Sequence, residues 1–253
     1  MLGADSTVPM DGSQEVVMRS SRRSLVRTGL IVGVVVGSIV VVAARVGDLK
    51  RWFISQWDTP HGITGWLFGA FMTAGGDELY RPTAGYACLT PDDVLLDVAC
   101  GGGGFLDRYA RDVGRVAGID RSDIQLNLAH RLLGERLRAG TAKLVKGDAS
   151  ALPWDDNRFS VVTCVLGLDF FADPEAALAE MWRVLRPGGR LVATFGINED
   201  NEECVRECDW FGFDHLPEDE VRKMVEDTGF AALEVTYPTG LNYHARFIRA
   251  VKP

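Results

Sequence analysis

Val94-Leu95-Leu96-Asp97-Val98-Ala99-Cys100-Gly101-Gly102-Gly103-Gly104 is the stretch that decides the fold of this 253-residue chain. A hydrophobic run ends on an acidic residue and passes into a glycine turn. A helical pattern begins at Phe105. Glycines let backbone N–H groups approach a ligand with no side chain between, and the start of the following helix supplies unpaired donors and partial positive charge. Four glycines in succession are entropically costly for a turn that only connects two elements. The stretch therefore predicts a strand, a ligand-cradling loop and a helix.

The loop alone does not name its ligand. Val116-Ala117-Gly118-Ile119-Asp120 reads as a second buried strand ending on a carboxylate, about twenty positions beyond the loop, where a ribose has its two hydroxyls accepted. A third strand over Ala142 to Lys146 runs into Gly147-Asp148-Ala149, and a fourth, Ser160 to Leu166, is followed by Gly167. Asp173-Pro174 opens a helical run to Leu185. Arg186-Pro187-Gly188-Gly189 precedes a fifth strand from Arg190 to Phe195. A helix over Pro217 to Thr228 and strands over Ala231 to Tyr237 and His244 to Val251 complete an alternating α/β pattern.

With Asp97-Val98-Ala99-Cys100-Gly101, Gly118-Ile119-Asp120, Gly147-Asp148-Ala149, Leu152-Pro153-Trp154 and Arg183-Val184-Leu185-Arg186-Pro187-Gly188-Gly189 in this order, the chain resembles the class I S-adenosylmethionine-dependent methyltransferases. The subgroup is the small-molecule type that includes the quinone-biosynthesis C-methyltransferases, and the resemblance runs from Asp92 to Val251. It implies a Rossmann-like α/β fold: a seven-stranded, mostly parallel sheet with one antiparallel strand near the end. It also implies S-adenosylmethionine as cofactor and roles for particular residues. Asp97 orients the methionine end. Ala99, Cys100, Gly101 and Gly103 lie in the loop that passes methionine and ribose, and Asp120 takes the ribose hydroxyls with its acceptor-only oxygens. Arg121 and Gln125 lie near the adenine face, Asp148 accepts from the adenine amino group, and the Ala149 N–H faces a ring nitrogen. Leu166 and Gly167 close the site.

This chain departs from the family pattern twice. Ala99 stands where relatives carry the first loop glycine, and Asp169-Phe170 replaces a pair of histidines after the fourth strand. An acceptor pocket relying on imidazole chemistry is not expected. A general base is needed only if the acceptor must lose a proton. Asp169 is the candidate for contact with the substrate, its alternative role being a cap on the helix near Pro174; His61, Tyr80, His215 and His244 are the other titratable side chains near the expected mouth.

Residues 28–44 form a run of seventeen without a charge, framed by Arg19, Arg22, Arg23 and Arg27 before it and Arg45, Lys50 and Arg51 after it. At about 1.5 Å per residue a helix of this length is slightly shorter than the roughly 30 Å of bilayer hydrocarbon; flanking arginines that snorkel extend its reach. The segment predicts one transmembrane helix ahead of the fold. Ser21-Arg22-Arg23-Ser24-Leu25-Val26-Arg27 also resembles a twin-arginine export signal. Export would separate the enzyme from cytosolic S-adenosylmethionine, so the expectation is an uncleaved single-pass anchor with a cytoplasmic catalytic domain. The basic count across the segment, four before and three after, is nearly balanced and slightly favours the opposite orientation, which the need for cytosolic cofactor outweighs. Gly29, Gly33 and Gly37 have the small-residue spacing that suits packing of two such helices, hence a homodimer.

These expectations divide the chain into a basic tail (1–27), an anchor (28–45), a linker with lid helices (46–90) and the methyltransferase domain (91–253). Residues 52–253 carry 20 Lys and Arg against 31 Asp and Glu, a net charge of −11, which argues against a nucleic-acid substrate. Cysteines 88, 100, 164, 204 and 208 have no secreted disulfide pattern; Cys204 and Cys208 are spaced to share a helix face, but a metal site needs two more ligands, of which His215 is one candidate, so no metal is expected. Trp66, Leu67, Phe68, Ala70, Phe71 and Met72 stand in helical register, and Asn198 to Leu216 adds Trp210, Phe211 and Phe213; aromatic lids beside a membrane suit a lipophilic acceptor. Two alternatives belong to other classes. A short-chain-type nicotinamide oxidoreductase shares the glycine loop and the acidic strand end, but no Tyr-x-x-x-Lys pair occurs. A catalytically silent, membrane-tethered relative has no physical need for Asp97, Asp120 and Asp148 together.

Overall fold

The computed structural model describes residues 52, 55–56, 60–196, 216–238 and 245–253. The anchor segment, the flanking tail, the insertion at 198–215 with Cys204, Cys208 and His215, and His244 lie outside the described residues. Among the described residues no helix is long and apolar enough to cross a membrane, and no group of His, Cys, Asp or Glu side chains is placed to hold a metal.

Seven strands form one sheet: β1 (Val94–Val98), β2 (Arg115–Asp120), β3 (Ala142–Lys146), β4 (Phe159–Val165), β5 (Leu185–Gly196), β6 (Ala231–Thr236) and β7 (Ala245–Val251). Their order is β3-β2-β1-β4-β5-β7-β6. β7 runs antiparallel to both neighbours, and every other pairing is parallel. This is the Rossmann-like sheet expected from the sequence. The central strands are apolar on both faces because helices cover both. Leu96 and Val98 of β1 point into one core with Leu178, Met181 and Val184, whereas Leu95 points into the other with Phe105, Leu106 and Val161.

The helices in chain order are α1 (Gly62–Gly75), α2 (Asp77–Ala87), α3 (Gly104–Tyr109), α4 (Asp123–Leu132), α5 (Gly134–Arg138), α6 (Pro174–Val184) and α7 (Glu218–Asp227), with a 3-10 turn at Leu168–Phe170. Local chemistry sets their starts. The Ser122 hydroxyl accepts from the Gln125 N–H at the head of α4, and Asp173 accepts from the Ala176 N–H with Pro174 in the first turn of α6. Asp173, not Asp169, is therefore the cap near Pro174. Two boundaries depart from expectation. β5 begins at Leu185, because the Arg186–Gly189 stretch stays in the sheet as an irregularity: Leu185 pairs with Phe159 and pairing resumes at Val161 with Arg190. α3 has only six residues, so its contribution of dipole and free donors is smaller than the sequence suggested.

Strand order reverses between β1 and β4. In open α/β sheets such a switch point opens a crevice beyond the carboxyl ends of the strands. α2 packs behind it: Ala87 is fully buried and the Tyr86 ring lies 5.6 Å from that of Phe247.

Candidate functional site

At that switch point β1 ends in a backbone conformation that most side chains avoid. Ala99 has φ of +56°, as does Leu166 at the end of β4. The left-handed region costs a residue with a Cβ roughly 1–2 kcal/mol. The departure from glycine at position 99 thus puts a strained residue in the site. Gly167 meets Ala99 across the switch point: a Cβ on Gly167 would lie 2.5 Å from Cys164 Sγ and 3.0 Å from the Ala99 Cβ. The two chain turns pack on one another and form the floor of a cavity.

The cavity is lined by Ala99, Gly101, Asp120, Arg121, Gln125, Asp148, Ala149, Leu166 and Gly167, with Met72, Leu79, Tyr80, Phe170 and Phe171 around it. Nine of the residues expected at the cofactor site thus share one space. Asp97, Cys100, Gly103 and Asp169 are not among the residues that line it. The Asp169 carboxylate accepts from the Gly196 N–H at 2.9 Å, so it ties the 3-10 turn to the end of β5. His61 heads α1, and its ring meets Gln56 Nε2 at 2.9 Å; it too is outside the cavity.

The glycine run divides by role. Gly101 has φ of +52° and faces the cavity, its N–H donating to Asp120 Oδ2 at 2.9 Å. Gly103 has φ of +79° and lies against the Ala129 Cβ of α4. A Cβ on Gly102 would come 2.1 Å from Thr73 Oγ1, and one on Gly104 would come 2.9 Å from the Thr73 carbonyl oxygen. Three of the four glycines therefore serve packing, two of them letting α1 lie across the loop. The expected open row of N–H donors is reduced accordingly: the Gly101 N–H serves Asp120, and the Gly103 N–H donates to the Cys100 carbonyl.

Three carboxylates occupy three kinds of surroundings. Asp97 is buried, and burial raises its pKa to about 7, against a hydrogen bond from Thr163 Oγ1 at 2.7 Å and with a further upward push from Asp120. Asp120 is also raised, by burial first, although the N–H groups of Ser122 and Gly101 bond its two oxygens. Asp148 is exposed; the Ser150 N–H and hydroxyl hold its pKa down. Two carboxyl groups of raised proton affinity, close enough to perturb one another, favour a ligand that brings positive charge. Gln125 sits beside them with its side-chain Oε1 buried and unbonded, an acceptor for which burial without a partner is costly.

Tyr80 was one of several candidates from sequence and proves to line the cavity. Burial pushes its phenol pKa up, reinforced by Asp97 and opposed by Arg108, whose guanidinium carbon lies 5.1 Å from the ring centroid. Tyr80 is thus held protonated and is a hydrogen-bond donor, not a base. Thr163 and Leu79 escaped the sequence reading, whereas Met72 lay in the helical register expected of a lid and lines the cavity. Thr163 was accessible in principle, since it pairs with Asp97 across β1 and β4; no spacing signal marks Leu79.

Residues 96–193 match the family described as "Methyltransferase domain". Among curated proteins the chain is 32% identical over 155 residues to a ubiquinone/menaquinone biosynthesis C-methyltransferase of Teredinibacter turnerae, covering 60% of this chain and 62% of that protein. The chain thus spans about three fifths of the length of that relative. Among solved structures it is similar to a putative methyltransferase in complex with the Haloferax volcanii Trm112 activator, at TM-score 0.62 and 21% identity over 74% of this chain and 94% of that one. It is also similar to the [4+2]-cyclase SpnF, at TM-score 0.60 and 22% identity over 71% and 82%. At such identities these likenesses establish the fold, and the cyclase illustrates that a fold carries more than one chemistry.

Proposed function

For a chain whose residues 96–193 match the methyltransferase domain and which is similar to the class I S-adenosylmethionine-dependent methyltransferases, we propose that the protein transfers a methyl group from S-adenosylmethionine to a small lipophilic acceptor at a membrane. The observation that carries this reading is the convergence of Ala99, Gly101, Asp120, Gln125, Asp148 and Ala149 on one cavity at the switch point.

The residues present fit the cofactor. The acidic pair Asp97 and Asp120 calls for positive charge, and the buried Gln125 Oε1 calls for a donor. S-adenosylmethionine supplies a methyl group on a positively charged sulfur, open to in-line displacement. Asp120 would hold the ribose: each oxygen spends one lone pair on a backbone N–H and keeps another for a hydroxyl. Asp148 and the Ala149 N–H would face the adenine edge, Arg121 its face, and Gln125 would accept from the cofactor. Asp97 acts through its field and does not touch the cavity. Tyr80 would donate to the acceptor or cofactor, while Met72, Leu79, Phe170 and Phe171 exclude water and align the acceptor.

The apolar rim supports a lipophilic acceptor, and the uncharged run at 28–44 supports a single-pass anchor holding the domain on the cytoplasmic side, where S-adenosylmethionine is made. The similarity to a quinone-biosynthesis C-methyltransferase points the same way. Calorimetric titration of the full chain in lipid nanodiscs tests the cofactor. Micromolar S-adenosylmethionine binding, weakened about a hundredfold in Asp120→Ala by loss of two charge-assisted hydrogen bonds, is the expected result. Binding of NADPH in its place would move the chain to the nicotinamide oxidoreductases, and binding of neither would favour a silent tethered relative.

A further inference from the structure

α1 is built inside out. A surface helix normally turns its large apolar side chains to the core and its small or polar ones to water. In α1 the buried positions are Gly65 and Gly69. A Cβ on Gly65 would lie 2.7 Å from the Pro60 carbonyl carbon, and one on Gly69 would lie 3.0 Å from Gln125 Oε1. The helix therefore meets the body of the protein along its backbone. Its large side chains face outward: Ile63 is 81% exposed, Phe71 66%, Leu67 57% and Trp66 40%. Positions 63, 66, 67 and 71 fall on one helical stripe. No charged residue occurs anywhere in Gly62–Gly75.

Such a face needs an occupant. Four side chains of this size and exposure present on the order of 500 Å² of apolar surface, at the upper end of the largest patch on a typical monomer. That area falls short of the roughly 800 Å² per partner of a stable protein interface. Fourteen residues of helix reach about 21 Å, too short to cross a bilayer. An exposed stripe of Trp66, Leu67 and Phe71 on a helix too short to span, whose opposite face is taken up by the protein, suits the interfacial zone of a membrane. The sequence brings a membrane within reach, because only seventeen residues, 45–61, separate the end of the apolar run at Ala44 from Gly62. A chain of that length extends at most about 60 Å.

We propose that the outward face of α1 seats in the lipid–water interface, so that the acceptor enters the cavity directly from the bilayer. The cavity lies behind this same helix: Met72 of α1 lines it, followed by Gly76, Leu79 and Tyr80. The outer stripe contacts lipid while the inner side of the helix guards the mouth. A lipophilic acceptor then reaches the methyl donor without crossing water. This inference rests on the membrane reading proposed above and adds the docking surface and the route of entry.

Depth-dependent quenching on the full chain in phosphatidylcholine–phosphatidylglycerol vesicles tests it. Leu67→Cys and Phe71→Cys carry an environment-sensitive fluorophore, with Cys88, Cys204 and Cys208 changed to serine; Arg186→Cys, exposed at the opposite end of the strands, is the reference. S-adenosylmethionine titration of each labelled variant verifies that it is folded. The expected result is at least threefold quenching at 67 and 71 by lipids carrying a nitroxide high in the acyl chain, with none at 186. Vesicle-bound protein with no quenching at 67 and 71 overturns the docking surface and leaves the membrane anchor standing. Self-quenching between labelled copies at 71 assigns the face to a second copy and also overturns it. Failure to bind vesicles overturns docking and anchor together, while cofactor binding is read separately from the titration.

Discussion

Ala99 shows why the loop after β1 favours glycine in relatives: its φ of +56° is easy only without a Cβ. Ala99→Gly is expected to raise stability by about 1 kcal/mol, measured by denaturant unfolding, with cofactor affinity unchanged or improved. The residue scale is also where sequence reading both succeeded and stopped. Asp120 and Asp148 were legible because each ends a recognisable strand, and strand ends converge at a switch point. Asp169 was not, because the 3-10 turn aims its carboxylate at the Gly196 N–H, and no local pattern reveals which way a short turn faces. Asp97 carries a pH signature. Its pKa is raised to about 7 in the folded chain, above its unfolded value near 4, so the folded state binds the extra proton between those limits. Stability is therefore fullest below about pH 4 with respect to this group and falls as pH rises toward 7. Asp97→Asn is expected to flatten that loss, read from melting temperatures of the cofactor-free chain between pH 5 and 8.

At the scale of elements, α1 is held to the catalytic loop by a small set of contacts. Thr73 lies over Gly102 and Gly104. Arg108 of α3 donates to the Thr73 carbonyl and, at 3.2 Å, to that of Ala74 at the end of α1, and pairs with Asp77 at 2.7 Å. Cations at a helix C-terminus satisfy its last carbonyls and its dipole. Arg108→Met should cost about 1–2 kcal/mol of stability, discounted for partial exposure. It should also weaken cofactor binding through loosening of α1, a readout that separates it from a purely local defect. A bulkier change, Gly102→Val, would force α1 from the loop, because its Cβ meets Thr73. Loss of cofactor binding in a chain that still unfolds cooperatively is the expected outcome. The sequence made α1 visible as a helix through its 66–72 register, and the strands through their apolar runs. The role of its glycines as the packing face was not legible, since a glycine in a helix signals weakness as readily as close approach. The start of β5 was missed for a related reason: Pro187 and two glycines mark a turn in most settings, and here the sheet absorbs them.

Across the whole molecule, the order of strands places two opposed crossovers on either side of β1 and β4, and everything assigned to the cofactor follows from that crevice. The foot of the same strands is closed by a buried ion pair. Asp93 accepts from Arg190 Nη2 at 2.8 Å and from Ser160 Oγ at 2.6 Å. Burial alone would raise its pKa, but the bonds from Arg190, Ser160 and Thr90 overcome it and hold the carboxyl well below the usual range. That stability is present above the unfolded pKa near 4 and is lost as pH falls below it, opposite in sign to Asp97. Asp93→Ala should cost about 3 kcal/mol by leaving Arg190 underpaired and should diminish the acid-limb loss in pH-dependent unfolding. The fold class was legible because apolar strands alternating with capped helices admit few topologies.

Transfer of a methyl group into the lipid phase is the step proposed for the cavity. The most direct measurement incubates the full chain in vesicles with methyl-labelled S-adenosylmethionine and a quinone-containing lipid extract, followed by organic extraction. Label is expected in the organic phase with the wild-type chain and is expected to be lost in Asp120→Ala. Label that stays entirely in water while the wild-type chain binds the cofactor would contradict it.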